Sequence, residues 1–69
     1  MPQYLVQDHP SLLDSGVEAG DIMDAFVGDT FGLVDDANTA TGEEHIALCY
    51  SNDDEIFAVL PRSAVIKFN

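Results

Sequence analysis

The sequence predicts an all-β fold: a small antiparallel barrel of five to six strands, with a long loop after the first strand and one 3₁₀ turn before the last. Three observations carry this reading. Two apolar runs, residues 45–50 and 56–60, are rich in Ile, Val, Phe and Tyr and are joined by the polar turn Ser51-Asn52-Asp53-Asp54-Glu55, the pattern of a β-hairpin. The remaining apolar runs are as short, and Gly, Pro and Asp punctuate them. The chain of 69 residues makes one domain, residues 1–69, near the lower size at which apolar burial without disulfides or metal sustains a fold.

In chain order, Tyr4-Leu5-Val6 is a first strand, ended by Asp8-His9-Pro10 because proline donates no ladder hydrogen bond and restricts the residue before it. A long loop follows. Residues 11–16 have material for one helical turn but are too interrupted for a stable helix, so an irregular loop is expected, with Leu12 and Leu13 covering a barrel end. Val17-Glu18-Ala19-Gly20 reads as a turn with glycine at a positive φ. Residues 21–27 form a second strand, Gly28-Asp29 a hairpin turn and residues 30–34 the returning antiparallel strand, with Gly32 at a bulge or close approach. Residues 35–42 are small and polar without periodicity, hence a surface loop. The central hairpin comes next, then Pro61-Arg62-Ser63 as a 3₁₀ turn and residues 64–68 as the last strand. The expected core is Leu5, Leu12, Val17, Met23, Ala25, Leu33, Ile46, Leu48, Val59, Val65 and some of the phenylalanines.

Charge is the unusual feature. Thirteen Asp and Glu stand against Arg62 and Lys67, a formal net charge of −11. Such an excess repels nucleic acid and anionic membranes, because each phosphate contact needs a cation from the protein. With 46% of residues apolar and patterned in runs, the reading is a folded domain with an acidic surface rather than a disordered chain. One cysteine, Cys49, allows no intramolecular disulfide and suits a reducing cytosol. Residues 1–4 lack the features of a signal peptide, and no apolar run reaches membrane-spanning length. A soluble, cytoplasmic protein is expected.

No catalytic or cofactor constellation emerges. Asp35, Asp36 and Asn38 begin an EF-hand-like spacing, but Ala40, Thr41 and Ala47 fall where ligands or the glycine belong. Asp53-Asp54-Glu55 reads as a solvated hairpin tip rather than a cation site. His45 and Cys49 share a strand and a parity, so their Cα atoms lie about 13 Å apart at about 3.3 Å per residue, too far for a dyad. Cys49 is then a small buried or half-buried thiol, His45 an exposed or satisfied side chain and His9 a loop residue.

Gly20-Asp21-Ile22-Met23, after a long loop, resembles the segment entering the second strand of SH3 domains. Val59-Leu60-Pro61-Arg62-Ser63-Ala64-Val65 is similar to their strand, 3₁₀ turn and final strand. This resemblance implies an SH3-like barrel over nearly the whole chain. It does not extend to proline-rich peptide binding: the chain has no Trp, and Ala64 stands where the groove tyrosine would be. Phe31-Gly32, Asp35-Asp36, Thr41-Gly42, His45 and residues 57–61 resemble a pattern in small acidic accessory proteins of T7-type tailed phages. That resemblance covers about half the chain and implies a phage protein acting in a host cytoplasm.

The expected function is non-enzymatic. Carboxylates held on a rigid fold imitate a run of phosphates, so a host protein with a basic nucleic-acid-binding surface, such as RNA polymerase, a nuclease or a nucleoid protein, would accept this surface and be inhibited. Asp35, Asp36, Glu43 and Glu44 are the first candidates for partner binding, followed by Asp53, Asp54 and Glu55. On composition alone, solubility or adaptation to high salt accounts for the acidity as well. The alternative function is a structural or assembly module that self-associates through strand edges.

Overall fold

The most apolar stretch of the hairpin becomes the most buried strand. The computed structural model describes residues 2–51 and 54–69. Its elements are β1 (Gln3–Val6), β2 (Ile22–Ala25), α1 (Leu33–Thr41), β3 (His45–Cys49), β4 (Ala58–Pro61) and β5 (Val65–Lys67), with 3₁₀ turns at Pro10–Leu12 and Arg62–Ala64. The strands form one sheet in the order β4-β3-β2-β1-β5, and all neighbours run antiparallel. The fold is therefore a small five-stranded antiparallel sheet with one helix and two 3₁₀ turns among the described residues.

Register and the two-residue period of a strand decide which side chains share a face. Ile46 pairs with Leu60 and Leu48 with Ala58, while Met23 pairs with Tyr4 and Val6 with Val65. All of these except Tyr4, together with Val17 and Ala64, make the core cluster, and Tyr4 from β1 and Leu12 from the first 3₁₀ turn pack against it. Met23, Leu48, Leu60 and Val6 are each less than 2% exposed or at that limit, and such burial stabilises by about 1.5–3 kcal/mol per large aliphatic side chain.

All five residues of β3 are buried, so both of its faces are covered. His45, Ala47 and Cys49 lie outside the core cluster and alternate with Ile46 and Leu48, which places them on the opposite face. There α1 packs against β3 and β4. Val34, Ala37 and Asn38 are its half-buried residues, spaced as one helical stripe.

This helix corrects the expectation for the middle of the chain. Residues 30–34 are not a returning strand and residues 35–42 are not a loop: α1 spans most of both. Gly28-Asp29 is accordingly no hairpin turn, and β2 pairs with β3 instead. The physical reasons are local and tertiary. Asp35 and Asp36 sit in the first turn, where the helix dipole favours carboxylates. Gly42 ends the helix at φ 78°, with its N–H donated to the Asn38 carbonyl. Docking on β3 supplies the burial that nine residues need to hold a helix. Gly32 is the left-handed N-cap rather than a bulge.

Other expectations are refined. Leu33 is 48% exposed, because the stripe facing the sheet runs through Val34 instead. None of the phenylalanines belongs to the core; Phe31, Phe57 and Phe68 are exposed. On β1 and β4 the core-facing parity falls on Val6 and Leu60, leaving Leu5 and Val59 half-buried. The long loop carries a 3₁₀ turn of its own, so there are two such turns and not one. Gly20 closes the turn before β2 at φ 98°, in the conformation expected of it. The tip of the central hairpin falls partly outside the described residues. The sheet is open: β4 pairs with β3 and β5 with β1, and their outer edges do not meet.

Candidate partner-binding surface

The four carboxylates singled out first are all exposed, but they sit at two ends of α1. Asp35 and Asp36 occupy the first turn, and the Asp36 N–H donates to the Gly32 carbonyl at 2.8 Å. Glu43 and Glu44 follow the Gly42 cap. At about 1.5 Å per helical residue, α1 rises about 7.5 Å from Asp36 to its last residue Thr41, so most of the helix length lies between the two pairs. They form a spaced ridge rather than a cluster.

The far end of the ridge is pinned by short-range chemistry. Thr41 Oγ1 donates to the Ala37 carbonyl at 3.0 Å and accepts from the Glu43 N–H at 3.2 Å. Asn38 Oδ1 accepts the backbone N–H of His45 at 2.7 Å, which ties the helix to the first residue of β3. Glu44 Oε2 lies 3.4 Å from Arg62 Nε. Both side chains are exposed, so this ion pair adds little stability in water, yet it engages one of the chain's two cations. Glu43 Oε1 accepts from Ser63 Oγ at 3.5 Å.

Asp54 and Glu55 are exposed near the hairpin tip, and no described interaction joins them to the α1 ridge. Asp53 lies outside the described residues. Several other acids serve the fold itself. Asp21 Oδ2 accepts from the Tyr50 hydroxyl at 3.3 Å and from the Glu18 N–H at 3.1 Å. Asp24 accepts from Gln3 Nε2, and Asp29 accepts from the Phe31 N–H. Partial burial and the Asp21 carboxylate beside it, with Glu18 further off, raise the Tyr50 hydroxyl above its ordinary pKa of 10.0.

Comparison with protein families, curated proteins and solved structures finds no match.

The histidines and the thiol resolve as structural groups. His45 is buried and its Nδ1–H donates to the Glu43 carbonyl at 3.0 Å. Cys49 is buried at the far end of β3, with Sγ 3.7 Å from the Asp24 carbonyl. His9 is more than a loop residue: it caps the first 3₁₀ turn, and the Ser11 N–H donates to its Nδ1 at 3.1 Å. Among the described residues, no group of three or more His, Cys, Asp or Glu side chains is placed to hold a metal ion. No helix among them is long and apolar enough to cross a membrane.

Two features escaped the sequence reading. Phe31 stands immediately before α1, 84% exposed and at φ 54°, a left-handed conformation that costs a bulky residue energy. Its N–H donates to Asp29 Oδ1 at 2.8 Å. A shallow groove of about 620 Å³ runs between the two limbs of the long loop, walled by Pro10, Leu12, Leu13 and Val17 and rimmed by Asp8 and Glu18. The signal available for the first was the helix punctuation of Asp35-Asp36 and Gly42. The groove depends on how the loop folds back and has no local signature.

Proposed function

We propose that this chain is a non-enzymatic acidic binding protein. It occupies the basic surface of a nucleic-acid-handling protein, an RNA polymerase, a nuclease or a nucleoid protein, and inhibits it by presenting carboxylates where phosphates would lie. The observation that carries this reading is the α1 ridge: Asp35, Asp36, Glu43 and Glu44 are exposed at the two ends of a helix docked on β3 and β4. A mimic of nucleic acid gains affinity from charges held at set positions, since less conformational freedom is lost on binding. A net charge of −11 adds long-range steering toward a basic partner.

The strand order and the 3₁₀ turn between β4 and β5 support an SH3-like arrangement of the sheet. Ala64 is fully buried there and offers no groove ring, so the proposal assigns the activity to the acidic surface. The resemblance to acidic proteins of T7-type phages supports a host-directed inhibitor working in the cytoplasm.

The test is a nuclease-treated pull-down from bacterial lysate at low and high salt. The expected result is capture of a DNA- or RNA-binding protein that weakens at high salt. It should be lost when Asp35 and Asp36 become Asn and Glu43 and Glu44 become Gln. Capture indifferent to both salt and these substitutions, or recovery of the chain alone, would overturn the proposal.

A further inference from the structure

The long loop leaves the sheet as two limbs held side by side. The Val6 N–H donates to the Asp21 carbonyl at 2.9 Å, and the Gly20 N–H donates to the Val6 carbonyl at 2.8 Å. Beyond those bonds the limbs part around the groove of about 620 Å³, within the size range of ligand-binding clefts. Its walls are set by the loop itself. His9 caps the 3₁₀ turn on one limb. Ser15 Oγ donates to the Leu12 carbonyl at 3.0 Å and accepts from the Val17 N–H at 3.1 Å, which fixes the bend into the other. Val17 belongs to the core and Leu12 packs against it, whereas Leu13 stands 88% exposed and Pro10 and Ala19 are exposed beside it.

Asp8 and Glu18, one on each limb, are exposed at the rim, and neither carboxylate has a hydrogen bond or ion pair among the described residues. Both ring nitrogens of His9 are engaged, Nδ1 with Ser11 and Nε2 with Ser63. No Lys or Arg precedes residue 62, and Arg62 is held by Glu44. An occupant that is only apolar would cover the walls but strip water from two unpaired carboxylates, a cost that a cation offsets. The groove therefore suits apolar surface and positive charge in one ligand.

We propose that this groove binds a basic segment of another protein, an extended stretch in which Arg or Lys alternates with aliphatic side chains. The aliphatic groups lie against Pro10, Leu12, Leu13 and Val17, and the cation reaches Asp8 and Glu18 at the rim. A shallow groove covers one side of a chain, whereas a small molecule needs most of its surface enclosed. The site uses no residue of the α1 ridge, so it stands independently of the partner proposed there.

The test is fluorescence anisotropy with a labelled hexapeptide of alternating Leu and Arg, with binding mapped by amide chemical shifts. The expected result is saturable binding that shifts the amides of Leu13, Val17 and Glu18. A Ser–Arg peptide of equal charge and a Leu–Glu peptide should bind at least about tenfold more weakly. Asp8→Asn with Glu18→Gln should weaken binding about tenfold, as should Leu13→Ser, while Asp29→Asn, which also removes an exposed carboxylate, should leave it unchanged. Absence of binding, equal binding of the Ser–Arg peptide, shifts confined to other elements, or indifference to the Asp8 and Glu18 substitutions would overturn the proposal. So would shifts at the groove that octylamine produces and the peptide does not, or that rise with protein concentration alone; these assign the groove to a small cation or to a second copy.

Discussion

Ser63 Oγ lies 3.2 Å from His9 Nε2, a contact between residues 54 apart in sequence that joins the long loop to the second 3₁₀ turn. The pair has the spacing of a nucleophile and its base, but the protons are arranged against that chemistry. A backbone N–H can only donate, so the Ser11 N–H fixes Nδ1 of the neutral ring as an acceptor, and Ser11 Oγ lies 2.8 Å from the same nitrogen. Nε2 then carries the proton and donates to Ser63, whose own hydroxyl turns to Glu43. A general base needs a free lone pair where this ring holds a proton.

Ser63→Ala should accordingly cost only about 0.5–1.5 kcal/mol in urea unfolding, the worth of an ordinary hydrogen bond. Ser63 should not react with a fluorophosphonate probe; stoichiometric labelling at that residue would refute the structural assignment.

Met23→Ala should be among the most damaging single changes. Met23 is fully buried at the centre of the sheet, and truncating such a side chain costs about 2–5 kcal/mol. Leu33→Ala serves as the contrast. With 48% of Leu33 exposed on α1, the loss should be clearly smaller in the same denaturation experiment, and equal losses would count against the docking of the helix.

Asn38→Ala removes the acceptor of the His45 N–H. A buried backbone donor left without its partner costs about 1–3 kcal/mol. The expected signature is local as well as global, with faster hydrogen exchange at the His45 amide than at the Leu48 amide within the same strand.

Tyr50 predicts a response to alkali. Its raised pKa means that the folded chain keeps the phenol proton at pH values where the unfolded chain has released it. The stabilisation is complete below the ordinary value of 10.0 and is lost as pH rises from there through the folded pKa. Tyr50→Phe keeps the edge-to-face contact with Phe57, at 4.6 Å between ring centroids, but has no proton to lose. Its stability should fall less steeply than that of the wild type across the alkaline range in urea titrations; parallel curves would refute the assignment.

The local pattern determined much of this fold. Short apolar runs bounded by turn formers located Tyr4-Leu5-Val6, the two arms of the central hairpin and the last strand, and Gly20 marked its turn. Composition determined the acidity and its exposure, because unpaired carboxylates stay in water. What the tertiary structure decided was whatever depends on a second surface. Residues 33–41 carry too little periodicity to read as a helix alone, and they become one because the outer face of β3 needs covering. The core-facing parity of β1 and β4 follows from pairing register, and a shift of one residue exchanged Leu5 for Val6 and Val59 for Leu60. The His9–Ser63 contact and the Glu44–Arg62 pair join positions far apart in sequence. Local propensity carries no record of such distances; only the packing of the sheet brings those residues together.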